Sequence, residues 1–160
     1  MEKYEVILKD AEYIEHIRRI EELEAERIFD RHNISHFLDV ARIGMLINLT
    51  EEYGIEKDMI YAAALLHDVG RDVQYIDGTP HEKASVPIAK EILSRTEYST
   101  KEIELILKAI NDHRTKEIKD EKSLSGLIYR ADKMSRPCYL CNVEKDCNWT
   151  DEKKNKRLIW

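Results

Sequence analysis

Residues 59–71 read MIYAAALLHDVGR, a run of apolar and small residues that ends abruptly in His67, Asp68, Gly70 and Arg71. On a helix the stretch from Met59 to Leu66 is apolar nearly all round, which means burial on every side. A helix beginning near Glu56 is therefore expected at the centre of the fold, ending at Gly70 just after His67 and Asp68. His67 follows Ile60, Ala63 and Ala64 on one face of it, and Asp68 continues a face made by Tyr61, Ala64 and Leu65. Both ionisable residues thus emerge from the most buried segment of the chain.

Outward from this centre, only five Gly and three Pro interrupt 160 residues, and the segments between them repeat apolar residues at helical spacing. The expected fold class is all-α, a single-domain helical bundle. Helices are expected over 6–29, 34–53, 81–94, 99–113 and 123–135, with a short one over 151–159. Gly54 closes the second of these, Pro87 sits inside the third with the capacity to kink it, and Asp77, Gly78 and Pro80 mark a loop. The organisation read from this is an N-terminal helix within 1–30 packing on the core, a principal domain over 31–136, and a cysteine-containing tail over 137–160.

Apolar residues make up 42% and charged residues 36% of the chain, enough for one core and too many apolar side chains for a disordered polymer. The net charge is -6 with no long basic stripe, which disfavours a nucleic-acid polymer as partner and requires any anionic substrate to be held locally. Residues 1–19 carry charges throughout and resemble neither a signal peptide nor a membrane span, so no membrane partner and a cytoplasmic location are expected. An odd number of cysteines argues against a secreted disulfide framework.

The helical stripes select a further set of ionisable residues. His36 lies over Val40, Ile43 and Ile47; His81 leads into Ala84, Ile88 and Ile92; His113 ends a stripe of Ile106, Ala109 and Ile110; Asp132 ends one of Leu124 and Ile128. Taken singly, a histidine on an apolar face is ordinarily a hydrogen-bonded core residue. Two core-facing aspartates are different, because an ionised carboxylate away from water is costly unless it is paired or bound to a cation. A metal cluster accounts for the whole set together.

The His-Asp doublet in ALLHDVGR, with His36 in HFLDVAR before it and Asp132 in YRADK after it, resembles the HD-domain superfamily of metal-dependent phosphohydrolases over about residues 31–135. The resemblance implies that His36, His67, Asp68 and Asp132 hold one divalent metal, and that Asp68 bridges to a second completed by His81 and His113. Such imidazole and carboxylate donors suit iron, manganese, cobalt, nickel or zinc. Two metals can share and activate a water for attack on phosphorus. The implied activity is hydrolysis of a phosphoester or phosphoanhydride, with a small phosphorylated substrate, a nucleotide above all. Asp68, Arg71 and Lys133 are the expected catalytic residues, the two cations holding phosphate.

Two other readings stay open: a di-iron oxygenase of the same superfamily, and a non-catalytic nucleotide sensor. His32, one turn before His36, is read as a supporting or surface residue, with a further ligand or a substrate contact as the alternative; Arg71, Lys133 and Arg136 have as their other reading a surface cation at a helix end, and Asp72 is a candidate for orienting a ligand or a leaving-group proton. Cys138, Cys141 and Cys147 in RPCYLCNVEKDCNW have a spacing that can wrap an additional structural metal if a fourth donor such as His16 or Asp146 completes it. The opposing reading is three reduced thiols packed as small apolar groups.

Overall fold

Asp10 divides what the periodicity alone reads as one N-terminal helix. Its side chain accepts hydrogen bonds from the backbone N–H groups of Glu12 and Tyr13 at 3.0 and 3.1 Å, capping a new helix and ending the previous one. The computed structural model, which describes residues 1–160, accordingly opens with α1 (Lys3–Lys9) and α2 (Ala11–Leu23) rather than a continuous rod over 6–29. There follow α3 (Ile34–Thr50), α4 (Lys57–Leu66), α5 (Arg71–Asp77), α6 (His81–Leu93), α7 (Thr100–Asp112) and α8 (Leu124–Met134). No strand forms, and no helix is long and apolar enough to cross a membrane.

The central position expected for residues 59–66 is the one observed. Met59, Ile60, Ala62, Ala63, Ala64, Leu65 and Leu66 of α4 are all buried, and α4 packs against α1, α3, α7 and α8. The small residues permit close approach: a Cβ at Gly44 of α3 would meet Ile60 Cγ2 at 3.1 Å. Pro87 leaves α6 continuous.

Three local expectations are corrected. The helix starting at Ile34 stops at Thr50, with Glu52 and Gly54 both in left-handed backbone at φ 54° and 69°. Gly70 begins a helix instead of merely ending one, since it precedes α5, a segment not among the expected helices. Residues 151–159 form no helix; the only regular pieces of the tail over 137–160 are single 3-10 turns at Cys138–Leu140 and Glu144–Asp146.

Candidate metal centre

α4 and α7 end in the same way, and this similarity builds half the site. His67 and His113 each directly follow their helix, and each Nδ1 lies against a carbonyl of the last turn: Ala64 O at 2.7 Å and Ile110 O at 2.6 Å. With a carbonyl as partner, Nδ1 must be the donor, so a last-turn carbonyl is satisfied and Nε2 is fixed facing inward. His81, the first residue of α6, sets its Nδ1 3.1 Å from Gln74 Oε1, a partner supplied by α5. His36 enters from the first turn of α3, where the Asn33 side chain caps the helix at His36 N.

The inward atoms gather into two triplets. The ligand atoms of His36, His67 and Asp132 lie within 4.8 Å of one another, as do those of Asp68, His81 and His113. Asp132 Oδ1 is 3.4 Å from His36 Nε2 and 3.6 Å from His67 Nε2. The two oxygens of Asp68 divide between the triplets: Oδ2 is 3.4 Å from His67 Nε2, whereas Oδ1 is 3.1 Å from His81 Nε2 and 3.5 Å from His113 Nε2. All six residues are buried.

These spacings fit cations. Donors about 2.1 Å from one metal stand roughly 3.0–3.4 Å apart at octahedral or tetrahedral angles. The His81 and His113 Nε2 atoms are 3.2 Å apart, a separation at which two lone pairs repel unless positive charge lies between them. His67 Nε2 and Asp68 Oδ1 are buried without a hydrogen-bond partner, which is costly for polar atoms in a protein interior.

Electrostatics agrees. Burial works against ionising Asp68 and Asp132, yet Arg71 and His67 hold the first well below the usual carboxylate range, and Lys133 and His36 do so for the second. Burial likewise disfavours charge on His67, but Asp68 and Asp132 keep its pKa at about 9. Burial lowers His36 and His81. Two buried carboxylates converging on one imidazole nitrogen mark a place that demands positive charge.

A model of the HD domain matches residues 33–136. The chain belongs to the HD-domain family. An uncharacterized protein of Clostridium beijerinckii is 47% identical over 160 residues, spanning 100% of both chains. The crystal structure of a protein described as a predicted HD superfamily hydrolase, from an uncultured Thermotogales bacterium, superposes with a TM-score of 0.58 at 25% identity, covering 87% of this chain and 81% of that one. Membership implies binding of a divalent metal, and the two triplets are where this HD domain could bind it.

The cations expected to hold phosphate stand at the edge of the triplets. Arg71 Nε lies 3.3 Å from Asp68 Oδ1, and Lys133 Nζ donates to Asp132 Oδ2 at 2.7 Å. Arg136 brings a guanidinium nitrogen to 3.3 Å from His36 Nε2. Asp72 is placed elsewhere: it accepts from His16 Nδ1 at 2.7 Å, joining α2 to α5, so His16 is not a free donor for the tail cysteines. Cys138, Cys141 and Cys147 are free thiols, two half-buried and Cys141 exposed, and they are not among the groups of donors that lie close enough to hold a metal.

One buried residue escapes the sequence reading. Glu24, in a stretch rich in Glu and Arg, is 2% exposed, and so is His32. Glu24 Oε1 meets His32 Nδ1 at 2.5 Å and accepts from the Tyr75 hydroxyl at 2.6 Å; Oε2 accepts from His32 N at 2.7 Å. The pairing crosses the end of α2 and involves a helix not among those expected, so no periodicity could signal it.

Proposed function

We propose that this HD-domain protein is a metal-dependent phosphohydrolase that cleaves a phosphoester or phosphoanhydride bond of a small molecule, a nucleotide being the favoured class. The observation that carries the reading is the convergence of Arg71, Lys133 and Arg136 on the edge of the two triplets in a chain of net charge -6. His36, His67, Asp68 and Asp132 would hold one cation, and Asp68, His81 and His113 the other. Such a pair supplies an activated water and screens the charge of phosphate oxygens.

The chain's own part is positioning. Once Asp68 and Asp132 are committed to metal, they no longer neutralise Arg71 and Lys133. Those groups can then turn to an anion, Arg71 in a two-pronged contact and Lys133 as a point charge. Arg71 Nε, buried and without a hydrogen-bond partner, is the donor most ready to do so.

The decisive experiment is turnover in oxygen-18 water by the metal-loaded protein, over a panel of nucleotides and dinucleotides. Label appearing in the released phosphate is the expected result. A strict requirement for dioxygen would favour the oxygenase chemistry, and tight nucleotide binding without turnover would favour a sensor. Arg71→Ala or Lys133→Ala should each lower kcat/KM by roughly one to two decades, the worth of one charge-assisted contact.

A further inference from the structure

Six residues account for the two triplets, yet a further imidazole points into the same space. His32 lies between α2 and α3, and its Nε2 is 3.6 Å from Asp68 Oδ2, the oxygen turned toward His67. That is too long for a hydrogen bond. Glu24 accepts three contacts around His32 and Tyr75, so its carboxylate acts as acceptor and His32 Nδ1 as donor. The ring is therefore held with Nε2 facing Asp68 and lacking a hydrogen-bond partner, in a residue 2% exposed. His67 and His113 are presented by the same device, an anchored Nδ1 and an inward Nε2. The difference is the anchor: His32 has a carboxylate, which makes an imidazole a stronger electron donor than a carbonyl does. Ring positions also match, since His32 and His36 have centroids 5.7 Å apart, against 5.4 Å for His36 and His67.

We propose that His32, oriented by Glu24, is a seventh protein ligand of the metal centre, joining the cation held by His36, His67, Asp68 and Asp132. The inference rests on the metal-centre reading above and extends it. A neutral Nε2 and a carboxylate oxygen facing each other at 3.6 Å are two electron-pair donors with nothing between them to share, unless a cation takes both. With His32 engaged, that cation has one position fewer for water, and the link between α2 and α3 becomes part of the centre. Tyr75 of α5, bonded to Glu24, then ties the Arg71 helix to the same ligand.

Loading the wild-type protein with cobalt(II) tests this without any mutation. Each coordinated histidine with an anchored Nδ1–H contributes a strongly shifted exchangeable proton signal. Signals from His32, His36, His67, His81 and His113 are expected, and the absence of one that connects to His32 overturns the proposal. Chelator competition with cobalt(II) gives the second readout. His32→Gln and Glu24→Gln should weaken the tighter site by about 10–100-fold, and added imidazole should restore affinity to a His32→Ala protein. A folded His32→Gln protein with unchanged cobalt affinity refutes the seventh ligand. His36→Ala is the control: if it also leaves affinity unchanged, the metal centre itself is wrong, whereas loss in His36→Ala alone removes only His32.

Discussion

Substituting Gly70 by Ala should damage one half of the centre while sparing the other. An added Cβ would lie 2.5 Å from Ser85 N, 2.7 Å from Ala84 C and 2.8 Å from Ala84 Cβ. Two of these atoms are backbone, so no rotamer change relieves the clash. Carbon atoms settle at about 3.5–4.0 Å, so α6 must retreat by roughly 0.8 Å. The retreat also stretches the hydrogen bond from Gly70 N to Ser85 Oγ, now 2.9 Å. His81 stands one turn before Ala84 on α6 and moves with it. Ligand distances hold within about 0.2 Å, so a shift of that size takes His81 out of coordination.

The magnitude follows from three contributions. Overpacking costs about 1–3 kcal/mol. Weakening a buried hydrogen bond adds about 1 kcal/mol. The stiffer unfolded chain returns about 0.4–1 kcal/mol, because Gly70 at φ -89° has a backbone that alanine adopts freely. The net expectation is a loss of about 1–3 kcal/mol in urea unfolding with chelator present. In metal titration the weaker class of site should lose about 10–100-fold in affinity. The tighter class should barely change, because His36, His67 and Asp132 come from α3, α4 and α8. A Gly70→Ala protein as stable as its parent, with both affinities intact, would refute the claim that the close approach of Gly70 to α6 sets the His81 position.

Other outcomes follow from the same geometry. Asp68→Asn should lose both metals together, because its two oxygens face different triplets; metal analysis that finds one site still full would end its role as a bridge. Asp10→Asn keeps the cap of α2 but breaks the contacts with Arg95, at 2.7 and 3.0 Å, and should cost under about 1 kcal/mol in thermal unfolding. Asp10→Ala should cost about 1 kcal/mol more, since it also removes the cap; equal stability of the two variants would deny the capping account. Hydrogen bonding to Arg95 lowers the pKa of Asp10, and hydrogen bonding to Lys3 lowers Glu102 to about 2. Their folded values lie below their unfolded ones, so the stability they contribute is present above about pH 4.3 and is lost as pH falls toward 2. Chemical unfolding across that window should show a smaller pH dependence in Asp10→Asn than in the parent.

What could be read from residues alone divides along a physical line. Burial of α4 and the inward direction of His36, His67, Asp68, His81, His113 and Asp132 are consequences of helical periodicity, a local property that a string of side chains displays directly. The break at Asp10 and the helix begun at Gly70 depend on which backbone groups a side chain or a neighbouring element satisfies, and a stretch of sequence is compatible with either outcome. Glu24 illustrates the limit most sharply. It sits among Glu21, Glu22 and Glu26, of which all three are exposed, and nothing in its own spacing distinguishes it. It is buried because α2 stops at Leu23 and the following turn carries the carboxylate inward to His32. A charged residue is drawn into the interior here by a partner eight positions away, and that partner in turn faces Asp68, forty-four positions from Glu24. The candidate site thus rests on long-range polar contacts laid over a bundle whose apolar stripes were already plain.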